Sequence, residues 1–165
     1  MKTVILDLEC TGLKADVHTL LVASFGVIEG DKLKKIKTRT ILDFKGENNE
    51  KEYKLLKWTR KQFNDADVLI GHNSIAFDRN FLNGVSLREG LGYLPRKIHI
   101  DLFQTLKGRH KFSSLKLEAI ADMLGVGEKD KPERKDWREG SILTPEAVER
   151  LKERCEEDVD LNFKF

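Results

Sequence analysis

Val4-Ile5-Leu6-Asp7-Leu8-Glu9, residues 4–9, runs a short apolar stretch into two acids separated by one leucine. The apolar run reads as a buried strand over about residues 2–8. In an extended segment residues i and i+2 project from the same face, so the two carboxylates stand side by side where the strand ends. Unpaired in a buried place they repel, and they are costly to desolvate. A hard divalent cation removes that cost, because carboxylate oxygens suit Mg²⁺ or Mn²⁺. A strand that stops in solvated acids is the plain alternative, and this pair alone does not choose.

Working outward, Thr11-Gly12-Leu13 turns the chain, and Leu20 to Ile28 reads as a second strand. Gly30-Asp31 makes a tight hairpin into a third strand, Lys32 to Leu42, whose Leu33, Ile36, Thr38 and Thr40 alternate with cations. Three antiparallel strands thus open the domain. Residues 46–57 are charged and weakly periodic and read as loop or short helix, with one or two helical turns at Thr59 to Asn64. Val68-Leu69-Ile70 is a short buried strand. Ile75 to Glu89 has Phe77, Phe81, Leu82 and Val85 at helical spacing. Lys97 to Asp101 is a fifth strand. Ser113-Ser114 caps a helix with Leu115, Leu117, Ile120, Ala121 and Leu124 on its apolar face, stopped by Gly125. Gly127 to Gly140 shows no pattern, and Thr144-Pro145-Glu146 opens a last helix carrying Val148, Leu151, Cys155 and Val159 on one side. The order is β-β-β-α-β-α-β-α-α, one mixed α/β domain over residues 1–165.

Composition narrows the class. With 39% hydrophobic and 35% charged residues, the 165-residue chain is neither disordered nor collagen-like, and its two cysteines are too few for a disulfide framework. Cys10 and Cys155 read as small buried hydrophobes in a reducing cytoplasm. No apolar run approaches the roughly 20 residues of a membrane span. Asp7 arrives before a signal-peptide core can form, so the expected location is cytoplasmic. A net charge of +2 argues at first against a polyanionic partner, yet the charge is uneven. Asp31 to Lys61 holds eleven Lys/Arg against five Asp/Glu, and Lys107, Arg109, Lys111 and Lys116 fall in a stretch with no acid. Glu146 to Asp160 reverses this, with seven acids against three cations. These runs read either as ordinary solvated surface or as a basic rim beside an acidic site.

Two further acidic segments follow the first. Gly71-His72-Asn73-Ser74-Ile75-Ala76-Phe77-Asp78 places Asp78 in the first turns of a helix, where the dipole favours negative charge. Cys155-Glu156-Glu157-Asp158-Val159-Asp160 places Asp158 at the border of the apolar face. Together with Asp7-Leu8-Glu9-Cys10-Thr11-Gly12-Leu13, these segments resemble, in order and spacing, the three motifs of the DEDD, or DnaQ-like, 3′–5′ exonucleases. The second motif extends through Arg79-Asn80-Phe81-Leu82, and the resemblance spans about residues 1–160. Small stand-alone and phage-type members are the most similar, which implies a bacterial, archaeal or phage-encoded source.

The resemblance implies a ribonuclease H-like fold: a mixed five-stranded sheet, three antiparallel N-terminal strands and then two parallel ones, flanked by helices. It implies that Asp7, Glu9, Asp78 and Asp158 converge and bind two Mg²⁺ or Mn²⁺ ions, about 3.5–4 Å apart in a two-metal site. By the same resemblance Thr11 and Leu13 line the groove for the 3′-terminal nucleotide. His72 and Asn73 approach the scissile phosphate or the terminal sugar, with a core histidine held by backbone the equal alternative for His72. The implied partner is a 3′ end of single-stranded DNA or RNA, with a polymerase or other replication or repair protein as a further one. Lys107, Arg109, His110 and Lys111 are expected to flank the strand's backbone, and Trp137 reads as a loop anchor, with stacking or cation–π contact the alternative.

One position departs from the family. Members carry a Tyr four residues, or a His five residues, before the last Asp, and it positions the attacking water. Here Arg154 and Glu153 stand there. Arginine stays protonated and is no base, although it can hold a phosphate oxygen or a carboxylate. Two outcomes follow: a 3′–5′ exonuclease with an altered water-positioning residue, or a catalytically weakened or inactive nucleic-acid-binding module.

Overall fold

The computed structural model describes residues 1–127 and 142–165; Trp137 and most of the patternless stretch lie outside them. Five strands, β1 (Thr3–Cys10), β2 (Leu20–Glu29), β3 (Lys32–Thr40), β4 (Val68–Gly71) and β5 (Ile98–Asp101), form one sheet in the order β3-β2-β1-β4-β5. β1 pairs antiparallel with β2 and β2 with β3, whereas β4 joins β1 and β5 joins β4 in parallel. This is the mixed sheet expected, an α/β architecture of ribonuclease H type with β1 at its centre. The helices are α1 (Asn48–Asp65), α2 (Asp78–Arg88), α3 (Leu102–Arg109), α4 (Leu117–Leu124) and α5 (Pro145–Lys164).

The period of two decides what each face meets. On β2, Phe25 turns its ring edge-on to Trp58 of α1, at 5.7 Å between centroids. The next residue, Gly26, faces the opposite way, toward α5, where an added Cβ would stand 2.5 Å from Val159 Cγ1. Glycine there lets the helix lie close to the sheet. Val4, Leu6, Leu8, Leu55, Leu56, Phe63, Phe81 and Leu82 are among the buried core. Each such side chain contributes roughly 1.5–3 kcal/mol by leaving water. The α5 face carries Val148, Leu151, Cys155 and Val159 as the spacing predicts, all buried.

Several elements differ from the sequence reading. Residues 48–65 form a continuous 18-residue helix, not a loop with a short helix. Its buried face is Glu52, Leu55, Leu56, Thr59 and Phe63, so two polar residues interrupt the apolar stripe that would betray it. Both are satisfied inside: Glu52 Oε1 accepts from Leu20 N at 2.9 Å, and Thr59 Oγ1 donates to Leu55 O at 2.8 Å. The third strand stops at Thr40, and Ile41–Asp43 is a 3₁₀ turn. Helix α3 was not foreseen because it buries no residue at all. Helix α4 begins at Leu117 rather than at the serines, leaves Leu124 half exposed, and ends as expected at left-handed Gly125, φ 65°. Trp58, flanked by Lys57 and Arg60 in sequence, is partly buried and packs on the core.

Candidate active site

Asp7 and Glu9 leave β1 on the face that α5 covers. The helix docks there through Cys155, whose Sγ donates to Asp7 O at 3.3 Å. One turn on, Asp158 reaches the same place, and carboxylate oxygens of Asp7, Glu9 and Asp158 lie within 4.8 Å of one another. Glu9 and Asp158 are buried and Asp7 is half-buried, with its Oδ2 shut off from solvent and without a hydrogen-bond partner. Burial pushes the Asp7 carboxyl well above its usual value of 3.8, and the charges of Asp158, Asp78 and Glu9 push it further. Three acids crowded around a dry, orphaned oxygen call for a cation.

Asp78 comes to this place by a different route. It is the first residue of α2, buried, after a loop that leaves β4. Asn73 holds a left-handed φ of 59° there, and Asp101 at the end of β5 organises the loop. The Asp101 carboxylate accepts from Asn73 N at 2.9 Å and Ile75 N at 3.0 Å, and caps α3 through Gln104 N at 3.3 Å. Burial raises the Asp78 carboxyl well above 3.8, Glu9 and Asp101 raise it further, and backbone hydrogen bonds at Asp78 and Leu8 oppose them. The structure therefore brings Asp7, Glu9 and Asp158 into one cluster, with Asp78 in its electrostatic field.

Arg154 is drawn into the cluster as well: its Nε donates to Glu9 Oε1 at 2.8 Å. Glu153, the alternative at the family's other position, is exposed. Beside Glu9 opens a pocket of about 290 Å³ lined by Leu8, Glu9, Cys10, Thr11, Gly12, Leu13 and Phe77. Leu13 stands 79% exposed at this pocket, an apolar side chain with no core to enter. Thr11 closes its own loop, since its Oγ1 accepts from Thr19 N at 2.9 Å and its N donates to Thr19 O at 3.0 Å. Both cysteines are buried and unpaired, and burial is the first cause pushing both thiols up, so they are packing residues here.

With the geometry in view, the kinship can be read. A family model of the RNase H superfamily matches residues 4–134. The chain belongs to the RNase H superfamily. Among solved structures, the family B DNA polymerase from the hyperthermophilic archaeon Pyrobaculum calidifontis is similar, with a TM-score of 0.73 at 16% identity. The match covers 98% of this chain and 23% of that polymerase, so the likeness is to a part of a longer protein, and at this identity it shows the fold. No curated protein matches the sequence. RNase H-like nucleases generally use divalent metals, and the all-oxygen donor set of the cluster suits a hard cation.

Of the remaining expected residues, His72 and Asn73 directly follow β4, and the basic group surrounds the end of α3. His72 Nε2 donates to Leu115 O at 2.7 Å and the ring meets Phe103 edge-on, so the histidine ties β4 to the segment before α4. Lys107 and Arg109 sit exposed on the last turn of α3. His110 is exposed and stacks on Phe112 at 5.2 Å, and Lys111 follows, also exposed. Sequence reasoning missed Asp101, Glu52 and Arg88. Arg88 pairs with buried Glu52 at 2.6 Å and donates to Ala15 O and His18 O, holding the loop that carries Thr11 and Leu13. Asp101, an acid at the end of a short strand, carried a readable signal; Arg88 and Glu52 carried none. Among the described residues no helix is long and apolar enough to cross a membrane.

Proposed function

We propose that residues 1–165 form one nuclease domain of the DEDD type, a divalent-metal-dependent 3′–5′ exonuclease acting on single-stranded nucleic acid. The observation that carries the reading is the carboxylate cluster, with its orphaned Asp7 Oδ2, opening beside a pocket of about 290 Å³. Asp7, Glu9 and Asp158, with Asp78, are the residues that would hold two Mg²⁺ or Mn²⁺ ions. Bound there, such ions supply Lewis acidity, lowering the pKa of a coordinated water and offsetting the charge of the reacting phosphate.

The chain's own residues supply the rest. Glu9 belongs both to the cluster and to the pocket wall, so a nucleotide in the pocket has its phosphate end against the acids. Leu13 and Phe77 give the base apolar surfaces, and the pocket's size favours one unpaired nucleotide over a base pair. Lys107, Arg109, His110 and Lys111 follow the backbone of the strand and make binding salt-sensitive. The likeness to part of a DNA polymerase supports an end-processing role beside a polymerase.

The test is incubation of 5′-labelled and 3′-labelled oligonucleotides with Mg²⁺ or Mn²⁺, alongside Asp7→Ala. Stepwise shortening from the 3′ end, lost in Asp7→Ala, is the expected result. Shortening that survives Asp7→Ala overturns the assignment. The Arg154–Glu9 pair favours a second reading, a nucleic-acid-binding module without cleavage, and binding without shortening in either metal selects it.

A further inference from the structure

We infer that the α1-side face of β3 is a second nucleic-acid contact, a row of cations that takes the backbone of a single strand beyond the nucleotides at the carboxylate site. The inference rests on the nucleic-acid reading above and adds where a longer strand runs. β3 holds Lys32, Lys34, Lys35, Lys37 and Arg39, and no acid, in its 9 residues. Register decides where they stand. Lys37 lies opposite Phe25, whose ring meets Trp58 of α1, and Ile36 lies opposite Gly26, which faces α5. Opposed residues share a face of the sheet, and so do residues two apart along a strand. Lys35, Lys37 and Arg39 therefore form one row on the α1 side, about 6.6 Å from each to the next. β3 is an edge strand, and Lys35 and Arg39 are exposed and Lys37 half-buried.

Little beside the row cancels its charge. The residues opposite it on β2, Val27, Phe25 and Ala23, are uncharged. Among the described residues its one ion pair joins Arg39 to Asp43 at 3.9 Å, with side chains 54% and 38% exposed, a geometry that contributes little. Charges along an edge discourage pairing with another chain. Mixed signs would do that and attract one another, whereas charges of one sign repel, and a polyanion turns that cost into attraction. The row also leads from the site. Arg39 lies opposite Ala23 and Ala23 opposite Leu8, which lines the pocket beside Glu9. Two strand spacings make that step about 10 Å, and Lys35 lies about 13 Å further along β3. The basic group at the end of α3 follows β5, at the other edge of the sheet, and is separate from this row.

The experiment reads oligonucleotide length against salt. Full-length protein in EDTA, so that no metal supports cleavage, is mixed with fluorescent oligothymidylates, and anisotropy gives Kd. Lengths of about four and about sixteen nucleotides bracket the roughly seven that reach about 23 Å at 3.4 Å each. Wild type is expected to hold the longer strand more tightly and with the steeper salt dependence. Lys35→Gln/Lys37→Gln/Arg39→Gln should hold the short strand as wild type does and the long one about tenfold more weakly at low salt. Its slope of log K against log salt should flatten by about 2, at roughly 0.7 per lost contact. Arg96→Gln, which removes an exposed cation just before β5, should leave the slope unchanged. Where the triple variant self-associates through its bared edge, Lys35→Gln and Lys37→Gln singly should each remove roughly 0.7, and Lys37→Arg none. A long strand held equally by wild type and the row variants overturns the inference and leaves the nuclease reading standing. An equal loss in Arg96→Gln overturns it too, because net charge alone would then account for the binding. No binding of either oligonucleotide removes the inference and the nucleic-acid reading together.

Discussion

Asp101→Ala probes whether the loop that delivers Asp78 is held by one buried carboxylate. The side chain is 3% exposed and accepts three backbone N–H groups, at 2.9 Å from Asn73, 3.0 Å from Ile75 and 3.3 Å from Gln104. Hydrogen bonds to a charged group contribute about 1.5–3 kcal/mol each, and the donors left behind cost about 1–3 kcal/mol apiece when they stay buried. The third bond is long and adds little, so the expected loss is about 3–5 kcal/mol. That is a large part of the roughly 5–15 kcal/mol that holds a domain together. For a chain of this size it lowers Tm by roughly 10 °C. The assay is urea unfolding in EDTA, where an unchanged slope shows that the midpoint reports stability alone. Asp101→Asn keeps the volume and one acceptor and should recover about half the loss. A loss below about 1 kcal/mol for Asp101→Ala would refute the account, because the three bonds would then be incidental.

Two further variants, Asp7→Asn and Arg88→Ala, have expected outcomes. Asp7 has its carboxyl raised above 3.8, so in metal-free protein its contribution to stability is complete below that pH and is lost as pH rises through the raised native value. Asp7→Asn removes this loss: its stability in EDTA relative to wild type should rise from pH 4 to pH 8, and a flat difference would sink the idea. Mn²⁺ at about a hundred times its Kd should add about 2.7 kcal/mol to wild type and far less to Asp7→Asn. Arg88→Ala strands Glu52, whose side chain is 9% exposed, and should cost about 3 kcal/mol in thermal or urea unfolding. Because Arg88 also holds Ala15 O and His18 O, oligonucleotide KM should rise more than kcat falls; an unchanged KM would separate the loop from the pocket.

Most of the sheet was legible because its strands announce themselves twice, by apolar runs and by the acids or glycines that stop them. Val4 to Leu8, Leu20 to Ile28 and Val68 to Ile70 needed no partner to be read. Helix α1 was not legible, since its core-facing Glu52 and Thr59 look like surface residues until Leu20 N, Arg88 and Leu55 O are known. Helix α3 rests on an N-cap, Asp101, and buries no residue, so no periodicity marks it. At the site, Asp7, Glu9, Asp78 and Asp158 were picked out by residue type and spacing. Arg154 was visible as a departure, but its engagement with Glu9 depends on how a helix from the far end of the chain docks, which spacing does not encode.

That docking has a consequence for the life of the molecule. Asp7 and Glu9 lie in the first strand and Asp158 in the final helix, and nearly the whole chain must fold before they meet. Contacts of such long range form late and slowly. A chain still on its way to the native state, with β1 paired to β2 but α5 undocked, has the sheet and the pocket without the complete acidic cluster. Under the proposed function, such a partly folded copy would lack a complete metal site.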